Sequence, residues 1–475
     1  ADPIKGYIFG EEKDQARTQH LVDILTQHQI EVYQLGRAHK ADGLYFEREV
    51  AYVVPTDQTQ YKLIKAVFEK RTTFEDSLFY DISAWTLPLA FNVSYAELES
   101  DQYSATLLGE RVAEKQMKEG QVIGDKAVAY VMHWDEYYAP AALYELLDNE
   151  LFVKVAQRPF IGETSNGTYE FDYGTIQVPL QNQPIKGEAL RDLIAAVAKK
   201  YGVDFYALNT GYTSEGIDMG SRNFSALELP KVMLVVGSGV SSYEAGEVWH
   251  VLDQRYNIPL SKVSTEDVAR ADLSRYTTIV MVDGNYSRLS KSAVTKIKDW
   301  VRNGGTLVLQ RGAIRWGVGQ RLSSAKFKSA SHPKAEQRPY WKQRDDSGAK
   351  VIGGAIAEVA VDNSHPMAYG YRNSYIPIFQ RGTLFMEPAS NAYATPFRFT
   401  KEPLLSGYIS NANQTALSEA AAVMVNRLGS GQVVNLANNP NFRAFWFGTN
   451  KVLANAIFFG DVIGGGTMEG APGEE

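Results

Sequence analysis

Seven histidines and no cysteine set the stock of catalytic side chains in this chain of 475 residues. Disulfides, thiolate metal sites and cysteine nucleophiles are thereby excluded, and a metal centre has only imidazole and carboxylate ligands to draw on. The spacing nearest to one is His133-Trp134-Asp135-Glu136 with a distant His250. Two imidazoles and one carboxylate leave a tetrahedral zinc ion an open corner for water, so His133, Glu136 and His250 make up a metal-hydrolase reading. Against it, His250 falls inside the amphipathic run 245–252, and a His-x-x-Glu match arises by chance in a chain this long. The plainer reading is a strand end whose polar residues cap the next helix.

A second candidate is the turn Gln310-Arg311-Gly312-Ala313-Ile314-Arg315-Trp316-Gly317. A strand, a Gly-rich turn and a helix are where a nucleophile elbow exposes a Ser or Cys beside N–H groups that hold an oxyanion. Residues 311–321 contain no Ser, Thr or Cys, which leaves this elbow without a nucleophile. What remains for ligand binding is Arg311, Arg315 and Trp316, two guanidinium groups and an indole that suit a carboxylate or a sugar. Solvated arginines and a core tryptophan are the plainer alternative. The loop Gly237-Ser238-Gly239-Val240-Ser241-Ser242 also joins a strand to a helix and offers N–H groups to an anion, but it lacks the third glycine of a dinucleotide fingerprint and the lysine of a P-loop.

The elements that must position these residues follow from periodicity. Strand, helix, strand, strand, helix occupy 6–10, 14–28, 31–35, 50–54 and 61–68, and the order recurs at 128–132, 140–147, 151–155, 174–178 and 188–201. Tyr7 and Pro55 lie 48 residues apart, Tyr130 and Pro179 49, and each Val-Pro turn is followed by amide side chains. That is the pattern of a tandem duplication; the alternative is that any two α/β halves look alike at this resolution. A third unit starts at Leu229, with strands at 231–236, 277–282 and 306–309 and helices at 243–256 and 289–302, the latter ended by Asn303-Gly304-Gly305. Further strands fall at 355–361, 375–379, 420–425 and 432–436, and a helix at 448–459 closes the pattern. The expected class is α/β, as tandem three-layer modules with mainly parallel sheets, divided as 4–120, 121–228 (a possible repeat of the first) and 229–463, with a flexible tail at 464–475.

Composition narrows the function classes. At 44% hydrophobic and 22% charged the chain is globular in character. No apolar run reaches the roughly 18 residues of a membrane helix, and a formal charge of −7 argues against general nucleic-acid binding. Residues 311–350 reverse that sign, with ten Lys or Arg against three Asp or Glu; with Tyr340 and Trp341 they form a basic insertion that suits an acidic partner or nucleic acid or, more plainly, a disordered or domain-packing loop. The sequons at Asn92, Asn166, Asn223, Asn285 and Asn413 matter only in a eukaryotic secretory host. The first three residues read as an appended scar, and the chain as a mature or excised segment.

Several long strings carry a resemblance. Phe74-Glu75-Asp76-Ser77-Leu78-Phe79-Tyr80-Asp81-Ile82-Ser83-Ala84-Trp85-Thr86, Asn439-Pro440-Asn441-Phe442-Arg443-Ala444 and Asn455-Ala456-Ile457 are similar to the region after the catalytic domain in secreted zinc carboxypeptidase-like proteins of Gram-negative bacteria. Gly216-Ile217-Asp218-Met219-Gly220-Ser221 and His365-Pro366-Met367-Ala368-Tyr369-Gly370 support it, so the likeness spans nearly the whole chain. It implies that the last module is flavodoxin-like, or class I glutamine amidotransferase-like, and that a zinc peptidase domain lies upstream in the same polypeptide as the partner of this portion, in the periplasm or outside the cell. The amidotransferase cysteine and its His-Glu partners have no equivalent: the elbow offers 310–312, and 438–442 contains no histidine. The resemblance therefore implies no catalytic residue, no cofactor or metal in this segment, and zinc in the upstream domain. The function it implies is that of a non-catalytic portion that packs against the peptidase or helps recognise a peptide substrate. A stand-alone peptide- or glycan-binding module is the alternative, and the metal hydrolase of His133, Glu136 and His250 a second.

Overall fold

The computed structural model describes residues 3–74, 82–114, 117–333, 339–348 and 350–473. Residues 75–81 of the first resemblance string, 334–338 and 349 of the basic stretch, and the last two residues of the tail lie outside them.

The first sheet is built from Ile4–Gly10, Tyr33–Leu35, Ala51–Pro55 and Tyr95–Glu99, with Leu108–Arg111 added at one edge. Along Ile4–Gly10 side chains alternate between faces. Tyr7 and Phe9 pack with Leu21 and Val22 of the helix Gln15–Gln27 and with Ile64 and Phe68 of the helix Tyr61–Phe68, while Ile8 turns to Ala41 and Phe46 of a hairpin. Three layers result, of which one is a β-hairpin.

The second sheet, of six strands, repeats this plan in its four main strands. Taking each unit's four main strands in chain order, both sheets are laid out 4-1-3-2: Tyr95–Glu99, Ile4–Gly10, Ala51–Pro55, Tyr33–Leu35 in the first, and Phe205–Leu208, Ala129–Met132, Ile176–Pro179, Lys154–Ala156 in the second. Each unit also inserts a hairpin between its second and third strands, His39–Ala41 with Leu44–Phe46 and Phe160–Thr164 with Gly167–Phe171. This is the split β-α-β arrangement. The amide after each Val-Pro turn makes the same three bonds in both copies. Gln58 receives the N–H of Glu31 and donates to the carbonyls of Glu31 and Pro55; Gln183 receives the N–H of Phe152 and donates to those of Phe152 and Pro179.

The α/β class holds throughout, and strand direction separates the units. Neighbours among the four main strands of each of the first two sheets run antiparallel, because the inserted hairpin sends the third strand back between the first two instead of onward through a helix. Parallel pairing governs the third sheet. Its strands Leu260–Ser264, Val232–Val236, Thr278–Met281, Thr306–Gln310 and Gly431–Leu436 stand in the order 2-1-3-4-5, the flavodoxin-like order. Helices cover both faces: Ala293, Ile297 and Val301 of Lys291–Arg302 on one, Val248 of Ser242–Trp249 and Leu453 of Asn450–Phe459 on the other. Between the fourth and fifth parallel strands the chain makes an antiparallel extension of Ala355–Val361, Tyr375–Gln380, Phe397–Ser406 and Ala421–Leu428.

Two expected irregular stretches are ordered in part. Residues 311–319 of the basic stretch are the elbow and its helix Gly312–Gly319, because the turn follows directly from a buried strand. The tail is tied down at Glu469, whose N–H and carbonyl join the edge of Ala421–Leu428 and whose carboxylate accepts from Ser390 Oγ and the Asn391 N–H. Among the described residues no helix is long and apolar enough to cross a membrane.

Candidate functional site

In an open α/β sheet of 2-1-3-4-5 order, ligands enter the crevice at the carboxyl ends of the strands where the order reverses. Here that place lies beyond Val236 and Met281, and Arg311 reaches it from the end of the strand paired directly with Thr278–Met281. The strand Thr306–Gln310 is buried along its length, and Arg311 follows it with φ 50° and ψ −118°. A non-glycine residue held there is strained, as a nucleophile at an elbow is. The backbone is fixed by a 2.9 Å bond from the Arg311 N–H to the Leu436 carbonyl.

The crevice is filled by the chain's own groups. Arg311 Nη1 bonds to Glu244 Oε1 and lies 3.0 Å from Asp283 Oδ2, and its side chain is 19% exposed. The Gly312 N–H, the donor that an oxyanion would use, gives its hydrogen to Asp283 Oδ1 at 2.9 Å. A Cβ at Gly312 would stand 2.3 Å from that oxygen, so only glycine lets the carboxylate reach the N–H. The Asp283 N–H closes the circuit on Glu244 Oε2 at 3.2 Å. Burial pushes the Glu244 carboxyl up from its ordinary range and Arg311 opposes it. One turn along the same helix, Glu247 accepts from Asn439 Nδ2 and from the Arg443 N–H, and burial pushes its carboxyl up as well. Arg443 and Ala444 both have positive φ, 48° and 55°, which places three strained residues around this one helix face.

Of the three residues singled out as ligand-binding, only Arg311 points into the crevice, and it is engaged there. Arg315 lies over the Phe327 ring at 4.6 Å, and Trp316 rests 5.4 Å from the Tyr286 ring beside an open groove of about 780 Å³. Sequence reasoning missed Glu244, Asp283 and Glu247. The signal for the two glutamates was their three-residue spacing at the start of the helix after the Gly237–Ser242 loop.

The residues of the metal reading do not assemble. Among the described residues no three His, Asp or Glu side chains gather as a metal site. The ring of His133 stacks on Phe171 at 4.9 Å and meets Tyr206 edge-on, and burial pulls its pKa down. His250 opens a six-residue π-helix, His250–Arg255, whose other end delivers Arg255 to Tyr137 and the Ala444 carbonyl. Glu136 pairs with Lys118 at 3.2 Å and is pushed up to about 8, by burial first and by the Asp14 carboxylate next. Burial pulls Lys118 down, yet the carboxylates of Glu136 and Asp204 hold it at about 12. Asp204, 2.7 Å from the Lys118 ammonium, is the second carboxylate that holds it.

No protein-family model matches the chain, and no curated protein matches it. Solved structures align with about half of it. A protein from Bacteroides uniformis described as ThuA-like is 14% identical over 48% of this chain and 89% of its own, with a TM-score of 0.31. A cytoplasmic protein from Salmonella typhimurium is 14% identical over 48% and 97%, with a TM-score of 0.29. The exo-β-1,4-mannosidase Op5Man5 from an Opitutaceae bacterium is 14% identical over 50% and 36%, with a TM-score of 0.28.

Proposed function

We propose that this chain is the non-catalytic C-terminal portion of a secreted zinc carboxypeptidase-like protein, in which it packs against an upstream peptidase domain or helps recognise the peptide substrate. One observation carries the non-catalytic part: at the elbow, an arginine locked to two carboxylates stands where a nucleophile would be, and the oxyanion donor is spent on Asp283. Such an arrangement offers no group to attack a carbonyl and none to stabilise the resulting charge. The peptidase partner, the zinc it would hold and a periplasmic or extracellular site of action rest on the resemblance of the sequence strings.

The test is a comparison of two proteins. The 475-residue chain alone is expected to hydrolyse no peptide, amide or ester. The polypeptide read from the whole gene is expected to bind stoichiometric zinc and remove C-terminal residues from peptides, with a raised KM when this region is deleted. Turnover by the 475-residue chain that a single substitution abolishes would overturn the proposal, as would a gene without a peptidase region.

A further inference from the structure

A second polar site lies away from the elbow, where all three units meet. The loops after the first strands of the two related units, Ile4–Gly10 and Ala129–Met132, face the start of the helix Asn450–Phe459 across a cavity of about 230 Å³. Its walls hold four acids, Glu11, Glu12, Asp14 and Asp135. They also hold four bases, Lys13, Arg17, Arg372 and Lys451.

The buried members are only partly paired. Asp14 is 3% exposed and stands at the N-cap of the helix Gln15–Gln27, but its side chain makes no cap bond. Its Oδ2 meets Arg17 Nε at 2.6 Å, while Oδ1 is buried without a hydrogen-bond partner. Lys451 is 7% exposed, and its ammonium donates to the carbonyls of Trp134 and Glu136, two bonds for three hydrogens. Burial pulls Lys451 down to about 8, against the pull of Asp14 and Asp135. Arg372 gives Nε to Asp135, and its side chain is 39% exposed. Residue 370 has φ +82°, and a Cβ there would lie 2.7 Å from Lys451 Cδ, so a glycine lets the backbone close over the lysine's aliphatic stem.

Buried polar atoms without partners are costly and point to a missing donor or acceptor. A cation alone would satisfy Asp14 and leave Lys451 and Arg372 facing like charge, and an anion alone would do the reverse. The two groups left short of partners, Asp14 Oδ1 and the third hydrogen of Lys451, carry opposite signs, so a ligand that serves both must carry both. The volume is below the roughly 300–1,000 Å³ of pockets for drug-sized ligands, and Tyr137, Tyr371 and Phe447 add aromatic wall. We propose that this cavity binds a small zwitterion, a free α-amino acid, with its ammonium on Asp14 Oδ1 and its carboxylate on Lys451 and Arg372. The site is separate from the elbow, and the inference does not depend on a peptidase partner.

Calorimetric titration of the 475-residue chain with each of the twenty L-α-amino acids tests it, with the N-acetyl and amide derivatives of any binder and with glucose as an uncharged control. Saturable binding of at least one amino acid is expected, weakened about thirtyfold or more by either cap. Arg372→Gln and Asp14→Asn should each weaken it to a similar degree. Circular dichroism establishes that each variant is folded, and the half-exposed Arg372 serves if Asp14→Asn is not. Absence of binding by every amino acid, equal binding of the capped forms, or binding of glucose alone would overturn the proposal.

Discussion

At the scale of the residue, both polar sites show how buried charge is kept in place. Arg311 and Glu244 are each mostly buried, and either one alone would be an uncompensated charge in a poorly solvated place. Arg311→Met is therefore expected to destabilise the third unit by about 3–5 kcal/mol, and Arg311→Met with Glu244→Leu to recover much of that, which thermal and urea unfolding followed by circular dichroism would measure. Full recovery is not expected, because Asp283 keeps a charge and the strained backbone at 311 remains. The buried groups around the junction add a dependence on pH. Glu136 is raised to about 8, so it contributes stability that is complete below the ordinary glutamate range and is lost as pH rises through about 8. Lys451 is lowered to about 8, so its contribution is present above 10.5 and is lost as pH falls through about 8. The midpoint of thermal unfolding should thus rise as the buffer is taken from about pH 8 towards about pH 6, and Glu136→Gln should flatten that limb. At this scale the sequence identified the turn at Arg311 and the loop at His133 as special, since both follow strands and carry polar side chains. It could not tell what they meet, because Glu244, Asp283, Arg372 and Lys451 come from distant positions.

The elements were more legible than the sheets they form. The helix predicted over 61–68 and the strand over 355–361 coincide with the structure, as does the helix Glu188–Tyr201, because each has a clear apolar period, and the last is bounded by Gly187 and Gly202. The ten-residue strand Phe397–Ser406 escaped notice: Lys401, Glu402 and Pro403 interrupt its apolar alternation, and its register is broken by bulges. Strand direction in the first two units escaped too, since it depends on a hairpin whose strands are only three to five residues long. The amides that mark the two Val-Pro turns give the clearest test at this scale. Gln58→Leu and Gln183→Leu each remove the same three bonds and leave backbone groups unpaired, at a cost of about 1–3 kcal/mol each. The loss should be larger for Gln183, which is buried, and the two should add, because they lie in different units. Hydrogen exchange at the amides of Glu31 and Phe152 would report each site separately.

Across the whole molecule, the helix Asn450–Phe459 is the common joint. Every one of its ten residues is buried, an arrangement that requires partners on all sides. Asn455 accepts from Trp134 Nε1 of the second unit at 2.7 Å and donates to the carbonyls of Met367 and Tyr369 at 2.9 Å, while Asn450 accepts from Tyr137 Oη and donates to Asn441. Two resemblance strings, Asn439 to Ala444 and His365 to Gly370, supply partners to this helix, so the strings that stood out in the sequence are joints of the interior. With the cavity lined from all three units, the units are bound to one another through buried polar contacts that must all be satisfied together. The native chain should then unfold in one cooperative calorimetric transition. Asn455→Leu keeps the volume but strips the Trp134 indole and two carbonyls of their partners, which costs roughly 1–3 kcal/mol for each group left unpaired. The expected outcome is separation of that transition into two, with brief proteolysis releasing a stable fragment that ends between the second and third units, near residue 228. A single unshifted transition in Asn455→Leu would mean that apolar packing alone holds the units together and that the polar joint is incidental.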